Sequence, residues 1–109
     1  MDAETPTAPP VTVYWRPGCG FCAGLLRSLE RSGLAFERRN IWDDDDDAAF
    51  VRSVANGNET VPTVVVGDHA LVNPTGDDVL TTLAEVSPDH LPDGWQPRQP
   101  GLLSRLFTT

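Results

Sequence analysis

Two cysteines, Cys19 and Cys22, stand three positions apart with Gly20 and Phe21 between them, and the 109 residues contain no others. Thiols at this spacing can cycle between dithiol and disulfide, because a thiolate attacks a disulfide sulfur through a mixed-disulfide intermediate. That chemistry needs one sulfur that is easily deprotonated. Arg16-Pro17-Gly18 interrupts a β-branched, aromatic stretch just before Cys19, and an amphipathic helical pattern follows it. Cys19 is therefore expected at a helix N-terminus, where unpaired N–H groups and the macrodipole favour a thiolate. Cys22 shares the apolar side of that pattern with Leu26 and Leu29 and reads in part as a small buried hydrophobe.

The elements that must hold this pair follow from the pattern on either side. Val11–Trp15 reads as a short buried strand. From Cys19 to about Ser32, Phe21, Cys22, Leu25, Leu26 and Leu29 repeat at helical spacing, and Gly33 is placed to end the helix. Leu34 to Ile41 alternates imperfectly and reads as a second strand. Asp43 to Asp47 precede Ala48, Ala49, Phe50, Val51 and Val54, so the run is expected to cap and begin a second helix. Five successive aspartates point around a helix axis rather than at one ion, which argues against a divalent-metal site.

Asn56-Gly57-Asn58 signals a turn, and Val61 to Gly67 reads as a strand opening at a proline. Gly67-Asp68 would turn the chain into a short return strand, Ala70-Leu71-Val72. Thr75 is the expected N-cap of a last helix, with Asp77 and Asp78 in its first turn and Val79, Leu80, Leu83 and Val86 on its apolar face. The order β-α-β-α-β-β-α implies an α/β fold. Its four-stranded mixed sheet has the first two strands parallel through a right-handed crossover, with three helices spread over both faces.

Residues 1–10 read as a flexible leader, residues 11–86 as the one domain, and residues 87–109 as a proline-rich tail. In that tail Leu102, Leu103, Leu106 and Phe107 would share one helical face. The net charge is −8 and all eight basic residues are arginine. An acidic chain without a cationic stripe is a poor partner for nucleic acid or an anionic membrane. No apolar run approaches the roughly 20 residues of a membrane span. Met1 to Pro10 has no apolar signal segment, and cysteines this close cannot staple a secreted fold, so the expectation is a cytoplasmic monomer. His69 and His90 lack any spacing that would join the cysteines around zinc, and no metal site is expected.

With Cys19-Gly20-Phe21-Cys22 after the first strand and Thr60-Val61-Pro62 before the third, the chain resembles the glutaredoxin form of the thioredoxin fold. The resemblance covers about residues 11 to 86, and Gly76-Asp77-Asp78 is similar to the end of that family's thiol-binding groove. More narrowly, C-G-F-C, then Gly57 to Val64, then Asn73-Pro74-Thr75 resembles the mycoredoxin branch, whose small thiol is mycothiol. The resemblance implies a thiol–disulfide oxidoreductase in which Cys19 attacks a mixed disulfide between a protein and a small thiol. A second free thiol would then release the enzyme, leaving Cys22 dispensable for that route or available to resolve through a Cys19–Cys22 disulfide.

Pro62 is implied to be cis, bringing the Thr60-Val61 backbone beside the sulfur. Asp77 and the N–H groups around Gly76 would hold the far end of the thiol, and Phe21 and Trp15 would wall the groove. Arg16 is the cation nearest the motif; common glutaredoxins carry a lysine before it and a proline at the position of Gly20. By resemblance no cofactor is bound. Mycothiol is the implied co-substrate, glutathione being less suited to a groove with Asp77 and Asp78, and the implied partners are mycothiolated or disulfide-bonded proteins. Two alternatives stand beside this reading: a dithiol electron donor of the kind that serves ribonucleotide reductase, and an iron–sulfur cluster shared by two copies.

Overall fold

The computed structural model describes residues 9–95. Its elements are β1 (Val11–Trp15), α1 (Gly20–Ser32), β2 (Glu37–Asn40), α2 (Asp45–Val54), β3 (Thr63–Val66), β4 (His69–Val72) and α3 (Gly76–Val86), followed by one 3-10 turn at Pro88–His90. This is the expected element order with the expected three helices. The strands lie side by side as β2-β1-β3-β4. β1 runs parallel to β2 and antiparallel to β3, and β3 pairs antiparallel with β4.

Alternation along β1 and β3 divides the core between two faces. Val11 and Val13 pair across the sheet with Val66 and Val64. Together they bury against Leu25, Leu26 and Leu29 of α1 and Val79, Leu80 and Leu83 of α3. Tyr14, which points the other way, packs with Ile41 and with Ala48, Phe50 and Val51 of α2. Each fully buried branched side chain stabilises by about 1.5–3 kcal/mol relative to exposure. Among the described residues Thr63 is the one buried polar residue, and its hydroxyl donates to the Thr60 carbonyl at 2.8 Å.

The helix ends follow the expected rules. Gly33 closes α1 at φ 85°, a left-handed conformation that glycine adopts without a Cβ clash. Asp44 caps α2 by accepting the Asp46 N–H at 2.8 Å, so α2 starts at Asp45 and Asp43 belongs to the preceding turn. Thr75 and Asp78 form a reciprocal capping box on α3, with bonds of 3.0 and 2.9 Å.

Three boundaries differ from the sequence reading. β2 is shorter, because Leu34 turns into the core instead of extending the strand. β3 begins at Thr63, since Pro62 has no N–H to give the ladder; the Pro62 carbonyl instead accepts the Asn73 N–H at 2.8 Å. The third difference lies past α3, where four prolines suggested no regular structure. Ser87–Trp95 contains the 3-10 turn, which accepts Pro88 in its first position, and Leu91 and Trp95 pack against the core cluster. The expected leader, apart from Pro9 and Pro10, and the Leu102–Phe107 face lie outside the described residues. Among the described residues no helix is long and apolar enough to cross a membrane.

At the tip of the β3–β4 hairpin, Gly67 adopts φ 59°, and a Cβ there would come within 2.6 Å of Val86 Cγ1. The turn and the end of α3 are thus fitted to each other at the sheet end far from the cysteines.

Candidate active site

Strand directions decide what meets at the other end. β1, β2 and β4 all point the same way and β3 points back. The segments leaving β1, β2 and β4 therefore gather with the segment entering β3. Across this end the order is Trp42 after β2, Cys19 after β1, Val61-Pro62 before β3, and Asn73–Gly76 after β4.

Cys19 is the N-cap of α1, in extended conformation at φ −101°, ψ 110°. A cap leaves the first N–H groups of the helix without helical partners. The Cys19 sulfur occupies the place of a serine or aspartate oxygen and accepts the Cys22 N–H at 3.2 Å. On its other side the Cys19 thiol faces the Val61 carbonyl, with Sγ 3.7 Å from that oxygen. The Val61–Pro62 peptide is cis, the geometry that the resemblance implied. Cys19 is partly exposed, so its sulfur is both held by backbone atoms and open to a reactant.

Cys22 is only 1% exposed and belongs to the apolar face of α1. Burial pushes its thiol up to about 12, and its hydrogen bond to Cys19 adds to the rise, against a smaller lowering by the Arg16 backbone and charge. At neutral pH Cys22 is therefore a protonated thiol.

The structure brings the expected residues together unevenly. Arg16 donates to the Pro17 carbonyl at 3.1 Å and lies over the exposed ring of Trp42, 5.8 Å from its centroid. Thr60 and Val61 are half-buried, and Pro62 is buried beneath Cys19's carbonyl partner. Phe21 is 76% exposed, at the first turn of α1. Gly76 touches α1 closely: a Cβ there would come within 2.5 Å of Ser28 Oγ. Asp77 is exposed in the first turn of α3. Trp15 departs from expectation: it packs against the α1/α3 core and does not wall the groove. An aromatic residue at the end of a buried strand had two places to go, and the core took it.

Between α1 and the segment entering α3 lies a groove of about 400 Å³. Gly20, Phe21, Gly24 and Ser28 form one wall, and Asn73 to Gly76 the other, with no charged side chain in the lining. Phe21 and Gly76 were expected here. Gly24 and Ser28 were not, nor was Trp42 beside Arg16 on the other side of Cys19; only a glycine inside an amphipathic helix offered a signal. Among the described residues no three His, Cys, Asp or Glu side chains are placed to hold a metal.

The glutaredoxin family model matches residues 11–71. A Mycobacterium tuberculosis protein assigned as a glutaredoxin is 36% identical over 78 residues, 71% of this chain and 93% of its own. Mycoredoxin 1 of Corynebacterium glutamicum is 33% identical over 75 residues, 67% of this chain and 91% of its own. Among solved structures, the glutaredoxin-like NrdH-redoxin of Escherichia coli has a TM-score of 0.56 at 28% identity, covering 63% of this chain and 88% of that one. A glutaredoxin of Archaeoglobus fulgidus has a TM-score of 0.54 at 27% identity, covering 71% and 84%.

Proposed function

The chain belongs to the glutaredoxin family of thiol–disulfide oxidoreductases, and on that premise we propose that it reduces mixed disulfides between proteins and mycothiol by a mainly monothiol route. The Cys19 thiolate attacks the mycothiol sulfur of the mixed disulfide. The protein thiolate leaves, and a Cys19–mycothiol disulfide remains. A second mycothiol thiolate attacks that disulfide, releasing oxidised mycothiol and restoring Cys19. Across the cycle, one mixed disulfide and one free mycothiol thiol become one protein thiol and one mycothiol disulfide.

The observation that carries this reading is the contrast between the sulfurs. Cys19 is partly exposed, and its sulfur accepts an N–H that holds it in place while leaving it open to a reactant. Cys22 is buried and protonated. Resolution by Cys22 needs its thiolate, and the burial that opposes ionisation persists once Cys19 is linked to a small thiol. A free thiol arriving from solvent meets no such barrier. Val61 presents a main-chain edge beside the sulfur, along which an extended substrate can lie. The uncharged groove and the exposed Asp77 suit a neutral sugar-bearing thiol better than glutathione with its two carboxylates. Similarity to mycoredoxin 1 supports the same choice. A free-thiol pool of this kind places the reaction in the cytoplasm, and one chain, acting as a monomer, supplies every group the cycle uses.

A second reading is a dithiol electron donor that reduces protein disulfides through a Cys19–Cys22 disulfide. It is favoured by the backbone likeness to NrdH-redoxin, a glutaredoxin-like protein with a thioredoxin-like activity profile. Turnover of one peptide carrying mycothiol or glutathione, by wild type and Cys22→Ser, separates the two. The monothiol reading expects the variant to keep its rate on the mycothiol adduct to within about twofold, with glutathione poorly used. A variant inactive on both adducts, beside a wild type that reduces plain protein disulfides, establishes the dithiol reading instead.

A further inference from the structure

Gly24 sits in the interior of α1, four residues after Gly20, and is exposed. Short of proline, glycine is the least favourable residue for such a position, because it gives up the most backbone freedom. Nothing in the fold requires it. Its φ is not in the left-handed region, and a Cβ would meet no heavy atom within 4 Å. Gly76 is the instructive opposite, since a Cβ there collides with Ser28. The effect of Gly24 is felt outside the fold, in the groove it lines. A side chain at 24 would lean toward the helix N-terminus, over Gly20 and into the space leading from Cys19.

Resting on the mixed-disulfide reading above, we infer that Gly24 determines thiol specificity, keeping the groove open for the uncharged, ring-bearing end of the small thiol whose sulfur is on Cys19. The groove reaches Gly20, the residue next to the cysteine, which places it where a molecule joined to that sulfur could extend. Its volume of about 400 Å³ falls within the range of small-molecule sites and is too small for a folded partner. The lining supplies no counter-charge for a carboxylate or ammonium. Phe21 offers an exposed ring at the edge on which a saturated ring can lie.

The full chain tests this through Gly24→Leu and Gly24→Ala, beside Ala23→Leu at an exposed position outside the groove. One peptide carries mycothiol, or N-acetylcysteine, which lacks the ring-bearing end. Gly24→Leu is expected to raise KM for the mycothiol adduct by about tenfold with kcat retained, a loss typical of a filled binding site. The N-acetylcysteine adduct and Ala23→Leu stay near wild type. Gly24→Ala is expected to raise Tm by about 4–8 °C while KM for the mycothiol adduct also rises. A merely structural residue cannot move those two readouts in opposite functional senses. Equal losses on both adducts, or no change on the mycothiol adduct that wild type turns over, overturn the inference and leave the proposed function standing. A wild type that turns over neither adduct overturns both.

Discussion

Cys19 and Cys22 are one helical turn apart and carry the same functional group, yet the fold gives them opposite surroundings. Cys19 stands before the first helical residue, where its sulfur replaces a capping oxygen and takes the Cys22 N–H. Cys22 stands inside the first turn, rotated onto the face that packs the core, and its thiol is pushed up to about 12. On the proposed reading, the residue between strand and helix is the nucleophile. Position relative to the helix start separates a partly exposed capping sulfur from a buried one.

The contrast can be broken in order of effect. Replacing Cys19 with serine removes the only sulfur positioned to attack, and mixed-disulfide turnover is expected to fall by about a thousandfold or more, measured against Cys22→Ser. Retained turnover in Cys19→Ser would reverse the roles assigned to the pair. Alkylation of the native protein at neutral pH is expected to modify Cys19 more than about tenfold faster than Cys22, with the two rates converging in denaturant. Mass mapping of the adducts reads this directly, and equal native rates would erase the distinction.

The smallest effect lies in alkaline stability. The folded Cys22 thiol is raised from 9.0 to about 12, so above pH 9 the unfolded chain holds fewer protons than the native one. The corresponding stability is fully present below about pH 9 and is lost as pH rises toward about 12. Tyr14, also raised, chiefly by burial, acts in the same direction from its ordinary 10.0 upward. The difference between wild type and Cys22→Ala isolates the thiol. The variant's Tm should fall less steeply across that window, and parallel curves would contradict the assignment.

Much of the frame was legible because the signals are local. The caps at Asp44 and Thr75, the glycine ending α1 and the Gly67 turn are each written in two or three adjacent residues. The cysteine pair and Thr60-Val61-Pro62 were legible as motifs, and the structure brings the Cys19 sulfur within 3.7 Å of the Val61 carbonyl. What escaped was long-range. No pattern in one dimension says that Trp42 follows a strand ending beside Cys19, or that Gly24 faces the segment after β4. Trp15 could fill core or groove with equal local logic. Leu91 and Trp95 were hidden because prolines remove the periodicity by which packed residues are recognised, although a 3-10 turn tolerates proline at its start.

Two of the atoms that meet the Cys19 sulfur, the Val61 oxygen and the Cys22 nitrogen, belong to the main chain. No point substitution deletes the Val61 carbonyl, and only proline at 22 would remove the Cys22 N–H. The side chain of Val61 packs on the α2 side, so exchanging it alters core volume and leaves the carbonyl in place. In a saturating mutational scan, Val61 would register as a tolerant packing position, and its part in the chemistry would leave no trace. The heredity of this contact lies in the path of the backbone, which many sequences can encode.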